Sequence, residues 1–334
     1  MIERIIDWSA RNKFIVIIFT AFAIAASIYA MKSVPLDAIP DLSDTQVIIY
    51  SRWDRSPDII EDQVTYPIVT SLLGAPRVKA IRGFSDFGFS YVYVIFQEGT
   101  DIYWARSRTL EYLSKILPKL PEGVSTELGP DATGVGWVFQ YALVDRTGRN
   151  SLADLRTFQD WYLRYWLQSV SGVAEVASIG GFQKQYQVNV NPRDLITYNI
   201  PLMKVIEAIR DGNNDVGGRL VEFSGAEYMV RGRGYVKKIE DIEEIVVGVD
   251  RSGTPILIKH LGRVTLGPDI RRGIADLDGE GDTVGGIVVI RHGENALNVI
   301  ERVKARIEEI KSSLPEGVEI VTTYDRSDLI KRAI

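Results

Sequence analysis

Leu120-Pro-Glu-Gly-Val124 recurs as Leu314-Pro-Glu-Gly-Val318, 194 residues further on. The match extends backwards in the same register. Gly99 and Gly293 each precede their copy by 21 residues, and Val94, Ile95 and Phe96 align with Val288, Val289 and Ile290. Leu113 and Ile116 align with Ile307 and Ile310. Each copy therefore reads as strand, turn, amphipathic helix, Pro-Gly turn, strand. A chance pentapeptide carries no such flanking register, so the module is duplicated.

A second echo has a different spacing. Val78-x-x-Ile81-x-Gly83-Phe84 returns as Val176-x-x-Ile179-x-Gly181-Phe182, an offset of 98. The difference between the two offsets, 194 − 98 = 96 residues, is an insertion in the second copy, after about Phe182 and before about Ile287. Two related α+β units follow, the second split by a further subdomain of roughly 183–270.

At 334 residues the chain can build two or three cores. A net charge of −5 argues against nucleic acid as a partner. There is no cysteine, which excludes disulfides, zinc–thiolate sites and thiol catalysis. One stretch departs from ordinary globular composition. Phe14–Met31, FIVIIFTAFAIAASIYAM, is 18 residues without a charge, and Val34 extends it beyond Lys32 and Ser33. That length nearly spans a hydrocarbon core, and each Ile, Phe or Val favours insertion by about 0.3–0.6 kcal/mol. Phe14, Ile18, Phe22 and Ile28 are its anchoring side chains. Arg4, Arg11 and Lys13 precede it, which puts the N-terminus in the cytoplasm and everything after Pro35 beyond the membrane. A cleaved signal peptide is the rival, but its apolar stretch is normally shorter and ends in a small-x-small site.

Pro35 and Pro40, with Asp37, Asp41 and Asp44, read as a stiff acidic connector. The first unit then reads strand 46–52, helix 57–73, strands 77–84 and 89–97, helix 101–117 and strand 123–128. That βαββαβ order is the ferredoxin-like arrangement. The second unit reads strand 137–144, helix 151–168 and strand 173–181, then strand 284–291, helix 295–312 and strand 318–324. Ser151 is its expected helix cap, with Asp154 three residues on. Ile300, Val303, Ile307 and Ile310 form one apolar stripe. In the insertion, Tyr186, Val188 and Val190 alternate as a strand, 201–210 reads as a helix, and 217–235 as a Gly-rich hairpin. Strands near 245–249 and 255–259 flank an Asp250–Gly253 turn. After Tyr324-Asp-Arg-Ser327, up to Ile334, the chain reads as a starting helix.

No catalytic signature is present. Gly83-Phe-Ser85-Asp-Phe87 lacks the second glycine of a nucleophile elbow, and Val135 stands where a phosphate-binding loop needs Lys. His260 and His292 have no second histidine nearby, so surface or strand-end roles are expected. Asp276-x-Asp278-x-Glu280-Gly281-Asp282 opens like a calcium loop, but position twelve is Ile287, and a polar turn is expected. Thioethers are soft ligands for Cu(I) and Ag(I), which makes Met203 and Met229 the metal candidates. The ordinary use of an isolated Met is to fill a core gap. Tyr91, Tyr93, Trp104, Trp161, Tyr162 and Trp166 are expected to pack.

Several stretches together resemble one family: Pro40-Asp-Leu-Ser-Asp44-Thr-Gln46-Val47, Gln63-Val-Thr-Tyr-Pro67, Arg82-Gly-Phe-Ser85, Gly99-Thr-Asp-Ile-Tyr-Trp-Ala-Arg106-Ser-Arg108, Leu128-Gly-Pro-Asp-Ala-Thr-Gly-Val-Gly-Trp137, Val173-Ala-Glu-Val-Ala-Ser-Ile-Gly-Gly181 and Val321-Thr-Thr-Tyr-Asp-Arg-Ser327. They are similar to the heavy-metal-efflux branch of the resistance–nodulation–division pumps, nearest its copper/silver members. The resemblance covers essentially the whole chain. It implies a cytoplasmic N-terminus and first transmembrane helix over 1–34, and a first porter subdomain over 35–135. It implies a second porter subdomain over 136–182 and 271–326, a docking subdomain over 183–270, and at 327–334 the start of a linker to a second transmembrane helix. It further implies an inner-membrane homotrimer, a periplasmic adaptor and an outer-membrane channel as partners, and proton-driven export of a metal ion with no resident cofactor.

In that family the proton-carrying carboxylates and the principal metal-binding methionines lie beyond the part that this chain resembles. Copper/silver members carry Met where this chain has Ile270, before Arg271-Arg272-Gly273. Zinc and cobalt exporters carry Glu where it has Trp137. The resemblance leaves the metal open. Two other classes stand beside it: a membrane-anchored periplasmic binding or assembly module, and an exporter of organic compounds. An anchored hydrolase is disfavoured by the missing nucleophile.

Overall fold

Alternation along Gln46–Arg52 sends Val47 and Ile49 to one face of a sheet, where both are buried, and Ile48 and Tyr50 to the other. The strand pairs antiparallel with Phe89–Phe96 on one side and Ser125–Leu128 on the other. Val78–Asp86 completes the sheet beside Phe89–Phe96. The computed structural model describes residues 2–33, 37–39, 41–215, 217–218, 220–230, 232–271 and 273–333. Val34, Pro35, Pro40, Arg272 and Ile334, named above, lie outside them.

The chain is mixed α/β and divides into two compact units. Unit one holds Met1–Asn150, Phe158–Gly180 and Ala275–Ile334; unit two holds Ser151–Thr157 and Gly181–Ile274.

Unit one contains two four-stranded antiparallel sheets. The second runs Val318–Asp325, Trp137–Asp145, Val284–Ile290, Val173–Gly180 across its width. Counted within its own four strands, each sheet has the order fourth, first, third, second. Helices Ile102–Ile116 and Ala296–Ile310 stand 194 residues apart, as the sequence repeat does. Their caps keep the same register. Asp101 accepts from Trp104 N at 2.7 Å, and Asn295 accepts from Asn298 N at 3.0 Å.

The other offset is also kept. The helical stretch that begins at Pro57 and the one that begins at Leu152 are each interrupted by a single π turn, Glu61–Thr65 and Gln159–Leu163. These turns lie 98 residues apart, the spacing of the Val78 and Val176 echo. Periodicity predicts continuous α-helix in both places. Each π turn carries one buried polar residue, Thr65 in the first and Gln159 in the second. Thr65 hydroxyl shares hydrogen bonds of 2.8 Å with Ser85 and Ser90. Gln159, fully buried, accepts from the Tyr141 hydroxyl at 2.8 Å and donates to Ser178 at 3.3 Å. Gly286 leaves room for that tyrosine, since a Cβ there would lie 2.4 Å from its ring.

Around these networks the first core gathers Ile60, Val64, Ile68 and Leu72 with Val92, Val94, Phe96, Ala105 and Leu113. On the last long helix Ile300, Val303 and Ile310 are buried and Ile307 half-buried, as the stripe requires.

Unit two has its own core of Ile200, Val205, Ile242, Val247, Ile256, Ile258, Leu261 and Val264. Lys184–Val190 pairs with Gly262–Pro268, a strand that local pattern does not announce. Helix Pro192–Thr197 is likewise additional; Asn191 caps it and Pro192 opens it. The hairpin expected over 217–235 is confined to Leu220–Phe223 and Ala226–Met229. Ser224 and Gly225, both with positive φ, make the two-residue turn that fixes its register. The strand expected to run to 259 ends at Leu257, where Ile258–His260 forms a 3-10 turn.

Candidate functional site

The apolar run forms one helix, Lys13–Ser33, preceded by a separate helix, Ile2–Arg11, that the sequence reading did not include. Twenty-one residues span about 32 Å at 1.5 Å per residue, close to the hydrocarbon thickness of a bilayer. Phe14, Ile18, Phe22 and Ile28 are all exposed, and none of the 18-residue apolar window is covered by the rest of the chain. Among the described residues this is the one helix long and apolar enough to cross a membrane.

Elsewhere in unit one, three segments meet on Arg326. Its side chain is completely buried. Nη1 donates to Asp37 Oδ2 at 3.0 Å, Nη2 to the Trp137 carbonyl at 2.8 Å, and Nε to the Tyr324 hydroxyl at 3.4 Å. The guanidinium also sits 5.9 Å from the Trp137 ring, which in turn packs against Tyr324. The backbone is stitched as well: Arg326 N donates to Val138 O, and Arg326 O accepts from Ile330 N in the first turn of Ser327–Ala333. Beside it, Asp325 is paired with Lys304. Burial acts to raise that carboxyl, but hydrogen bonds from Lys304 and Ser327 outweigh it and hold it below the usual carboxylate range.

Unit one also contains a cleft of ≈ 590 Å³. Because Val47 and Ile49 face the helices, their neighbours Ile48 and Tyr50 face the cleft, together with Tyr91 and Tyr93 of the adjacent strand. The Tyr50 and Tyr91 rings lie tilted against one another, 5.4 Å between ring centres. Glu127, Arg164, Gln168 and Glu175 supply the polar lining, and Arg164 Nε is buried without a hydrogen-bond partner. Phenol faces beside carboxylates suit a cation, and the guanidinium suits a carboxylate.

Met203, in the first turn of Leu202–Gly212, is 61% exposed, and Met229, the last residue of its strand, is 78% exposed. Neither fills a core gap. Among the described residues no group of three or more His, Cys, Asp or Glu is arranged to hold a metal ion. His260 Nδ1 accepts from Leu257 N at 3.1 Å, closing the 3-10 turn, and His292 lies two residues past the strand that ends at Ile290. Asp276 and Asp282 form a bridge across a turn in which Asp278 and Gly279 have positive φ, a polar turn as expected. Of the aromatics expected to pack, Trp104 lies against the first core, whereas Trp161 and Tyr162 are exposed. The cleft and the Arg326 junction were invisible to local reading, since their members come from segments far apart in sequence.

Comparison with known proteins assigns the class. The chain belongs to the AcrB/AcrD/AcrF family, whose model matches residues 5–334. Among its relatives, "Cation efflux system protein CusA" of Escherichia coli (strain K12) is 53% identical over 335 residues, covering 100% of this chain and 32% of that protein. "Putative cation efflux system protein SilA" of Salmonella typhimurium is 52% identical over the same shares. "Cobalt-zinc-cadmium resistance protein CzcA" of Cupriavidus metallidurans is 36% identical over 342 residues, covering 100% of this chain and 32% of that protein. A solved structure, "X-ray crystal structure of a heavy metal efflux pump, crystal form II", superposes with a TM-score of 0.85 at 32% identity, covering 96% of this chain and 32% of that one. The chain thus spans about a third of the length of these relatives.

Proposed function

We propose that this chain forms the N-terminal part of a proton-driven heavy-metal exporter of the bacterial inner membrane, with Cu(I), Ag(I) or a related metal ion as cargo. The observation that carries the reading is likeness along the whole chain, 53% identity to a cation efflux protein with no part left out. Residues 14–34 are the first membrane crossing, and the bulk of the chain is periplasmic. The two four-stranded units, 35–135 and 136–182 with 271–326, are ferredoxin-like porter subdomains. The insertion, 183–270, is a docking subdomain that faces a periplasmic adaptor and an outer-membrane channel, and 327–334 leads towards a second membrane helix. The working assembly is a homotrimer. The fully exposed apolar helix and the shared strand order of the two sheets support this division.

The test is a deletion strain challenged with copper, silver, zinc and cobalt side by side. Sensitivity to copper and silver, reversed by the intact gene, is expected. Unchanged tolerance to all four metals, with new sensitivity to dyes or bile salts, overturns the metal assignment.

A further inference from the structure

Arg326 is a fully buried charge where an apolar side chain would pack at lower cost. Removing a guanidinium from water carries a penalty that its partners only partly offset, and buried ion pairs are often replaceable by hydrophobic residues without loss of stability. What the fork offers instead is geometry. Its planar donors hold three acceptors at fixed angles, which neither Lys nor an apolar group does. The three acceptors belong to three different segments: Asp37 in the stretch that follows the apolar helix, Trp137 at the start of one strand, and Tyr324 at the end of the neighbouring strand.

The slack on either side is short. Asp37 lies four residues beyond Ser33, the end of the apolar helix, so at most about 14 Å of chain separates them. On the other side, Ser327–Ala333 begins at the next residue and takes Arg326 O into its first turn. Movement at the membrane end therefore has little chain in which to dissipate before it reaches the sheet.

We infer that Arg326 is a positioning residue for transport: with Asp37 it ties the segment leaving the membrane helix to the paired strands Trp137–Asp145 and Val318–Asp325, so that displacement at the membrane is delivered to that sheet. This inference rests on the transport reading above, in which both 14–34 and the chain beyond 327 connect to membrane helices. Trp137, read from resemblance as a mark of metal type, has here a second role as the stacking and carbonyl partner of the fork.

The experiment uses the full-length pump, reconstituted in lipid vesicles, with Ag(I) as the probe. Asp37→Asn, Asp37→Glu and Arg326→Lys are compared with the unaltered protein. Each background also carries spin labels at Leu42→Cys and Glu319→Cys. Asp37→Asn and Arg326→Lys are expected to slow Ag(I) uptake about tenfold, to leave Ag(I) affinity within about twofold, and to broaden the label distance distribution. Asp37→Glu, which keeps the charge, is expected to restore both uptake and a narrow distribution. Asp37 is partly exposed, and Asn there still offers a carbonyl oxygen to the fork, so this variant is expected to disturb the fold less than a change at buried Arg326. Uptake by Asp37→Asn within about twofold of the unaltered pump overturns the inference, as does slowed uptake with an unchanged label distribution. If the unaltered pump moves neither Ag(I) nor Cu(I), the transport reading fails on its own, and a broadened distribution in Asp37→Asn still supports the tie.

Discussion

Replacing Gln159 with Leu should unseat a buried hydroxyl, and replacing Tyr141 with Phe in the same chain should then cost nothing more. Tyr141 and Gln159 are 1% and 0% exposed, and the tyrosine hydroxyl donates to Gln159 Oε1 at 2.8 Å. With Leu at 159, that hydroxyl has no acceptor and no water. Leaving such a group unpaired costs about 1–3 kcal/mol, so about 2 kcal/mol is expected for Gln159→Leu and about 1–2 kcal/mol for Tyr141→Phe. The double variant buries two apolar groups of similar shape and should fall by about 2 kcal/mol, short of the sum of about 3–4 kcal/mol. With a slope of about 2 kcal/mol per molar urea, Gln159→Leu should lower the unfolding midpoint in detergent by about 1 M, and the double variant should lower it no further. Burial lifts the Tyr141 phenol far above its ordinary value, so it stays neutral and the pattern should be the same at mildly acidic and mildly alkaline pH. A double variant that loses the full sum would refute the reasoning, because the two groups would then be contributing independently.

The capping box at 151 offers a pH test. Hydrogen bonds from Lys184 and Ser151 hold the Asp154 carboxyl down at about 2, below its unperturbed 3.8. A lowered folded-state value stabilises above the unfolded value and is lost as pH falls. Unfolding curves of Asp154→Asn and the unaltered chain should therefore differ at neutral pH and converge as pH drops from about 4 towards 2. Ser151→Ala should cost about 1 kcal/mol in the same assay. Gly180→Ala, which combines φ +68° with a Cβ 2.1 Å from Thr283 O, should prevent expression of folded protein, judged by protease resistance; Gly148→Ala, φ +67° with open space, should cost only about 1 kcal/mol. Met203→Leu with Met229→Leu should change silver tolerance less than about twofold in a growth assay, since a lone exposed thioether is a weak site.

The repeat made much of the architecture legible because it fixed register as well as type. The helix expected over 295–312 spans Ala296–Ile310, and the strand expected over 89–97 spans Phe89–Phe96. What escaped has physical causes. Gly262–Pro268 is a strand because Lys184–Val190 pairs with it, and that partner lies some seventy residues upstream. Pro192–Thr197 does carry a local signal, an Asn followed by a Pro at a helix start. The methionines could be named from sequence, but their exposure could not. Asp37 and Arg326 stand 289 residues apart, and each looks like an ordinary surface charge until the fold closes one over the other.

The paired π turns date an event. A single π turn inside an α-helix is a rare feature. Finding one at Glu61–Thr65 and another at the matching place in the second half makes two separate accidents an uneconomical account. The π turn is then older than the copying: the ancestral half-module already carried it, and both descendants keep it at the same place.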